Sequence, residues 1–137
     1  MVNSKAYRRW RVDSRSRLAE LRAFARQYSE WIEALESISM VGAVELDGMP
    51  HGTDTGDPTG QMAAARDNYI TKVKMVDYCI RFCSDDDVIR KAVFKGVTTP
   101  GGMSYQQLRA RGYTYSRNAY YEAMHKFYWM LDKVKIF

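Results

Sequence analysis

The chain has 137 residues, of which 46% are hydrophobic and 27% charged, so it is long enough for one compact core and unlike a disordered segment. No apolar run approaches the roughly 18 residues of a membrane span, and no apolar stretch follows the charged amino terminus. We therefore expect a cytoplasmic protein with no membrane partner. The net charge of +5 is concentrated at the carboxyl end, a distribution that favours polyanionic partners.

The first predicted element is a long amphipathic helix. Apolar residues alternate at spacings of three and four from Leu18 to Leu35, which indicates a helix that begins at Ser4 or Asp13 and ends at Ser39. Its first turns are basic and its last turns acidic, the unfavourable order for the helix dipole. Packing against the rest of the chain must therefore stabilise it.

A glycine-rich loop and a second helix follow. Residues 40–57 contain four glycines and a proline between the two periodic segments, which predicts a loop. Asp57 before Pro58 is a strong helix start, and the next apolar stripe predicts a helix that ends at about Cys83. Because the two helices are similar in length, we expect residues 1–83 to form an antiparallel helical hairpin.

The third predicted helix begins in an acidic segment. Ser84 and the carboxylates of residues 85–87 can satisfy free backbone N–H groups, and apolar residues continue to Lys95. Residues 96–102, with three glycines and a proline, predict the next break. No segment has the alternating period of a strand, so the predicted fold class is all-α.

Two further helices are predicted near the carboxyl end. Residues 104–111 form the shorter one and residues 116–135 the longer one, and each begins with a serine cap. Gly112 starts the tight turn that joins them. A short helix, a glycine turn and a capped longer helix are typical of a helix-turn-helix. We therefore predict that residues 84–137 form a helix-turn-helix DNA-binding domain behind the hairpin.

The last helix carries the candidate DNA-binding residues. In a helix-turn-helix, the second helix enters the major groove and its first residues face the base edges. Arg117 suits guanine, Asn118 suits adenine, and Tyr121 can contact a phosphate or a thymine methyl group. The other candidates are the capping serine and side chains placed to hold phosphates: Ser116, Arg109, Arg111, Lys126 and His125. Double-stranded DNA is therefore the predicted partner.

No arrangement of residues points to an enzyme, a metal site or a cofactor. Cys79 and Cys83 share one helix face, where buried thiols are a better interpretation than a zinc site or a disulfide. The tripeptide Asp54-Thr55-Gly56 matches that of aspartic proteases, but it lies in the predicted loop and not on a rigid strand. We expect no enzymatic activity.

Three segments resemble the RinA/ArpU group of phage transcription regulators. They are the long first helix, the loop sequence GMPHG at residues 48–52 leading to GDPTG at 56–60, and YSRNAYY at residues 115–121. The last segment is similar to the helix-turn-helix of sigma-factor region 4. The resemblance implies a sequence-specific transcription regulator in the bacterial host cell, which activates late phage genes such as packaging and lysis operons.

A second interpretation belongs to a different class of protein. The helical hairpin can serve as an interaction module that binds RNA polymerase or a packaging component. Trp10, Val12 and Trp31 lie off the apolar stripe of the first helix, so we expect them on the surface, available to a partner or to a homodimer. Both interpretations can hold together, because an activator contacts DNA and polymerase.

Overall fold

The computed structural model describes residues 9–45, 58–114 and 116–137, and these ranges contain helices and no strand. The predicted all-α class is confirmed. Chain order gives α1 (Arg15–Arg26), α2 (Tyr28–Glu45), α3 (Pro58–Cys83), α4 (Asp87–Thr98), α5 (Tyr105–Ala110) and α6 (Arg117–Val134). Within the described ranges, no helix has the length and apolar character needed to cross a membrane.

The first predicted helix is in fact two helices that meet at Gln27. Helix α1 begins after Ser14, whose side chain accepts a hydrogen bond from the backbone N–H of Arg17 at 3.1 Å. At Gln27 the backbone N–H donates to the carbonyl of Phe24 at 3.1 Å, a tighter turn than an α-helix makes. The prediction of one uninterrupted helix was wrong, because apolar periodicity continues through a local break of this kind.

The predicted exposure of Trp31 was also wrong. Only 3% of Trp31 is exposed, and its ring centre lies 4.8 Å from that of the buried Phe24. Trp10 is half-buried, and the centres of the Trp10 and Trp129 rings lie 5.0 Å apart in an edge-to-face arrangement. Val12 packs against the core. These apolar side chains found tertiary partners, so they do not form the expected exposed patch.

The second predicted element, the loop, begins later than expected. Residues 40–45 continue α2, because this stretch has several good helix formers and a single glycine. The rest of the predicted loop, with Asp57 and His51, lies outside the described residues. Helix α3 spans the predicted range, from Pro58 to Cys83.

Helix α4 runs past its predicted end at Lys95. Its cap is Asp86, whose side chain accepts a hydrogen bond from the backbone N–H of Val88 at 2.9 Å. The helix continues through Gly96, where a Cβ atom would contact the Tyr120 hydroxyl group. The predicted break at Gly96 was wrong, since this glycine allows close packing within the helix instead of ending it.

The hydrophobic core joins residues from both sides of residue 84. Helix α3 packs along α2 and α6, and α4 contacts α1, α3, α5 and α6. Outside the core, the Arg17 Nε atom lies 2.8 Å from Asp132 Oδ1 and ties α1 to α6. Five fully buried side chains come from five helices: Leu21, Val76, Val93, Leu108 and Phe127. The division into two domains at residue 84 stays a prediction.

Candidate nucleic-acid interface

Local hydrogen bonds define both ends of the short helix α5. Ser104 and Gln107 form a capping box, in which each side chain accepts a hydrogen bond from the other's backbone N–H at 3.2 and 2.9 Å. At the other end, Gly112 adopts a φ of 78° and the N–H of Tyr113 donates to the carbonyl of Leu108 at 3.0 Å. This glycine turn ends α5 as predicted and directs the chain toward α6.

The amino end of α6 is open and carries no acidic residue in its first turn. Ser116 caps the helix by accepting a hydrogen bond from the backbone N–H of Ala119 at 3.3 Å, as predicted. The next two side chains, Arg117 and Asn118, are exposed. The positive end of the helix dipole adds to the charge of Arg117, so this end of α6 attracts anions.

A cleft of about 550 Å³ lies between α5 and the start of α6, and we call it the α5–α6 cleft. It brings together three of the predicted DNA-binding residues, Arg109, Arg117 and Tyr121. The guanidinium carbon of Arg117 lies 5.5 Å from the centre of the Tyr121 ring, a cation–π distance. The remaining lining residues are Ser104, Tyr105, Gln106 and Ala110. Such a cleft can bind a phosphate or a planar polar group.

Tyr121 is positioned by other aromatic rings. Its ring centre lies 6.0 Å from Tyr105 of α5 and 5.3 Å from Tyr120 of α6. Tyr120 is buried, and burial raises the pKa of its hydroxyl above the usual range, with smaller contributions from Tyr128 and Tyr121. These contacts hold the half-buried Tyr121 at the cleft while Arg117 remains open to solvent.

The other predicted site residues lie outside the cleft. Arg111 is exposed at the carboxyl end of α5. Lys126 is half-buried on another part of α6. Its Nζ atom lies 3.9 Å from Glu122 Oε1 and 5.2 Å from the centre of the Trp10 ring. His125 is also half-buried, and its pKa is lowered by burial first and by the nearby charge of Arg22 second. Lowering of this pKa keeps His125 neutral at pH 7.

Two further arginines, on α1, lie close to α6 or to the segment before α5, and no sequence pattern pointed to them. The exposed Arg26 lies against Gly102, where a Cβ atom would come within 2.9 Å of its Nη2 atom. The exposed Arg22 lies near His125 and Tyr128. Burial raises the pKa of Tyr128 to about 12, and the positive charges of Arg22 and Arg26 lower it in part. Their spacing of four residues places them on one face of α1, but only the fold brings that face beside α6.

The two cysteines lie in the core. Both are free and buried, as predicted, and burial raises the pKa of Cys79 to about 12 and that of Cys83 to about 11. Thiols in this state are poor nucleophiles and metal ligands. In the ranges that the structure describes, no three His, Cys, Asp or Glu residues group closely enough to hold a metal ion.

Comparison with protein-family models, curated proteins and solved structures gives no match to this chain. The resemblance to the RinA/ArpU group stays a prediction from the residues quoted above.

Proposed function

We propose that this protein is a sequence-specific DNA-binding transcription regulator in which α5, the turn at Gly112 and α6 act as a helix-turn-helix. One observation carries the proposal. Arg109 of α5 and Arg117 of α6 line the α5–α6 cleft together with Tyr121, at the open amino end of a capped helix. A recognition helix needs this combination of exposure, positive charge and rigid support.

The packing of α4 on α5 and α6 supports the proposal. A Cβ atom at Gly96 of α4 would lie 3.3 Å from a methyl carbon of Leu108 in α5 and in contact with Tyr120 of α6. These three helices therefore share one tightly packed point, in the way that a helix-turn-helix rests on a preceding helix. The cleft residues are consequently held on a rigid unit.

The charge distribution also supports a DNA partner. Between Pro100 and Tyr121 the sequence has three basic residues and no acidic one. We assign Arg117 to guanine and Asn118 to adenine, and Arg109, Arg111 and Tyr121 to phosphates. The remaining residues that we assign to phosphates are Ser116, Lys126 and, on α1, Arg22 and Arg26. His125 can also contact a phosphate, as a neutral hydrogen-bond donor.

The biological setting follows from the resemblance stated above. A regulator of the RinA/ArpU kind activates late phage genes in the cytoplasm of its bacterial host. RNA polymerase is a further partner in this proposal, because an activator contacts polymerase as well as DNA. The contact of Tyr28 with Asp77 and of Trp31 with Lys72 supports an antiparallel hairpin of α2 and α3, since the partners run in opposite chain order. We also propose a homodimer, in which two recognition helices would meet successive half-sites.

The test is binding of the full chain to duplex DNA from beside its own gene and to random duplex DNA of equal length. We expect the wild type to prefer the former, and Arg117→Ala or Asn118→Ala to reduce that preference by about 1–3 kcal/mol. The control Arg66→Ala removes an exposed arginine of α3 outside the cleft and should leave the preference unchanged. If both α6 variants keep the wild-type preference, the assignment of Arg117 to guanine and Asn118 to adenine is wrong. If the wild type does not bind DNA, the proposal is refuted.

A further inference from the structure

A groove with an apolar floor lies between the end of α3 and the face of α4, and we call it the α3–α4 groove. Its volume is about 580 Å³. The floor consists of Ile80, Phe94 and Tyr113, which are all half-buried and therefore leave apolar surface uncovered. Tyr113 belongs to the turn that joins α5 to α6, so the groove reaches the proposed DNA-binding unit.

The rim of this groove is strongly basic. Four cationic side chains and one carboxylate surround the floor: Arg81, Arg90, Lys91, Lys95 and Asp87. The single carboxylate is already paired, because Asp87 lies 3.1 Å from Lys91 and 3.6 Å from Arg90. Lys91 first and Arg90 second lower the pKa of Asp87, so it stays ionised. Three positive charges beyond this carboxylate remain on the rim.

Exposed apolar side chains flank the groove on both sides. Tyr78 is 49% exposed and precedes Arg81 by three residues, and Val88 is 47% exposed and precedes Lys91 by three. Helical spacing places each of them beside its basic neighbour on the same helix face. Apolar surface therefore continues outward from the floor between the basic side chains, which is typical of a docking surface with a hydrophobic centre and a polar rim.

From this geometry we propose that the α3–α4 groove binds an acidic amphipathic segment of a partner protein. Leucine-like side chains of the segment would cover Ile80, Phe94 and Tyr113, and its carboxylates would pair with the basic rim. Duplex DNA fits less well, because phosphates would contact only the rim and leave the apolar floor uncovered. The groove is open to solvent, which suits a segment laid over it better than an enclosed small molecule.

The probe is a synthetic amphipathic peptide of about four helical turns, with leucines on one face and glutamates on the other. A second peptide carries lysines in place of the glutamates. Binding of each to the full chain is measured by fluorescence anisotropy, and the contact surface is mapped by amide NMR shifts. We expect the glutamate peptide alone to bind and to shift the signals of Ile80, Phe94 and Tyr113.

Charge reversal tests the basic rim without touching the residues that hold Asp87. The double variant Arg81→Glu and Lys95→Glu should weaken binding of the glutamate peptide by about tenfold or more at low ionic strength. Its control reverses two exposed cations of α3 that lie outside the groove, Arg66→Glu and Lys74→Glu, and should bind almost as the wild type does. Thermal melting of both variants verifies that they fold.

Several results would overturn the proposal. These are no binding of the glutamate peptide, equal binding of the lysine peptide, equal weakening by the two double variants, or amide shifts on another face. Loss of DNA affinity in the Arg81→Glu and Lys95→Glu variant, with competition between duplex DNA and the peptide, would assign the groove to nucleic acid instead. Amide shifts at the groove on raising the protein concentration alone would assign it to a second copy of the chain.

Discussion

The hydroxyl group of Tyr120 lies directly over the backbone of Gly96, in the space that a Cβ atom would occupy. This contact joins α4 to α6 behind the α5–α6 cleft. It also explains why a glycine stands inside the helix, since a Cβ atom at residue 96 would overlap the Tyr120 hydroxyl group.

Gly96→Ala should therefore lower the free energy of unfolding by about 1–3 kcal/mol through overpacking. In the double variant Gly96→Ala and Tyr120→Phe the clashing oxygen is absent, so the cost of the alanine should be smaller than in the wild-type background. Urea denaturation of the wild type, the two single variants and the double variant gives the coupling free energy between residues 96 and 120. Additive effects of the two changes would mean that the contact does not restrict residue 96.

Gly112 has a positive φ of 78°, a backbone conformation that is unfavourable for other residues. Gly112→Ala should lower the free energy of unfolding by about 1–2 kcal/mol. A Cβ atom there meets nothing within 4 Å, so the whole loss is conformational. Gly112→Asn should cost less, because asparagine tolerates this conformation better. Equal costs in urea denaturation would contradict this account.

Thr114 follows the turn and is fully buried. Among the described residues its hydroxyl oxygen has no hydrogen-bond partner. A buried hydroxyl without a partner costs about 1–3 kcal/mol. Thr114→Val should therefore raise the midpoint of urea denaturation, whereas Thr114→Ser keeps the hydroxyl, removes a methyl group and should lower it. A lower midpoint for both variants would show that the hydroxyl is satisfied in solution.

The lowered pKa of His125 predicts a pH dependence of stability. Because the folded pKa lies below the unfolded value of 6.5, the unfolded chain binds a proton first as the pH falls. Stability contributed by the neutral imidazole is therefore complete above pH 6.5 and is lost between that value and the folded pKa. His125→Gln should lose less stability than the wild type across this window. Parallel pH profiles from urea denaturation would contradict the prediction.

Arg22 and Arg26 should strengthen DNA binding without selecting a sequence. Replacing both by alanine should reduce the slope of log K against log salt by about two units, because two phosphate contacts are lost. Preference for specific over random DNA should remain, unlike in Arg117→Ala. The matched control replaces Arg66 and Lys74 by alanine. If the two double variants have the same salt dependence, these α1 arginines do not contact the DNA.

The elements that could be predicted from the sequence are those defined by near neighbours in the chain. The caps of Ser104 and Ser116 and the turn at Gly112 rest on hydrogen bonds that span a few residues. The same is true of the start of α6, where Arg117 and Asn118 were expected and found exposed. A residue's own neighbours determine whether such a feature forms, so local patterns suffice.

Tertiary structure decided the features that depend on distant residues. Gly96 would end a helix on local preference, but Tyr120, twenty-four positions later, fills the space beside it. Trp31 looked exposed because it lies off the apolar stripe, yet the break at Gln27 leaves it in contact with Phe24. Contacts of this kind are made between chain segments that approach only after folding, so no local pattern records them.

The candidate site divides in the same way. Arg109, Arg117 and Tyr121 were chosen one by one from spacing, and only the packing of α5 against α6 shows that they share a cleft. The fold places Lys126 and His125 elsewhere on α6, and the packing of α1 against α6 adds Arg22 and Arg26. The sequence by itself determined which side chains are cationic and which helices carry them. The tertiary structure decided which of them act on one surface, because that depends on how the helix faces are oriented by the shared core.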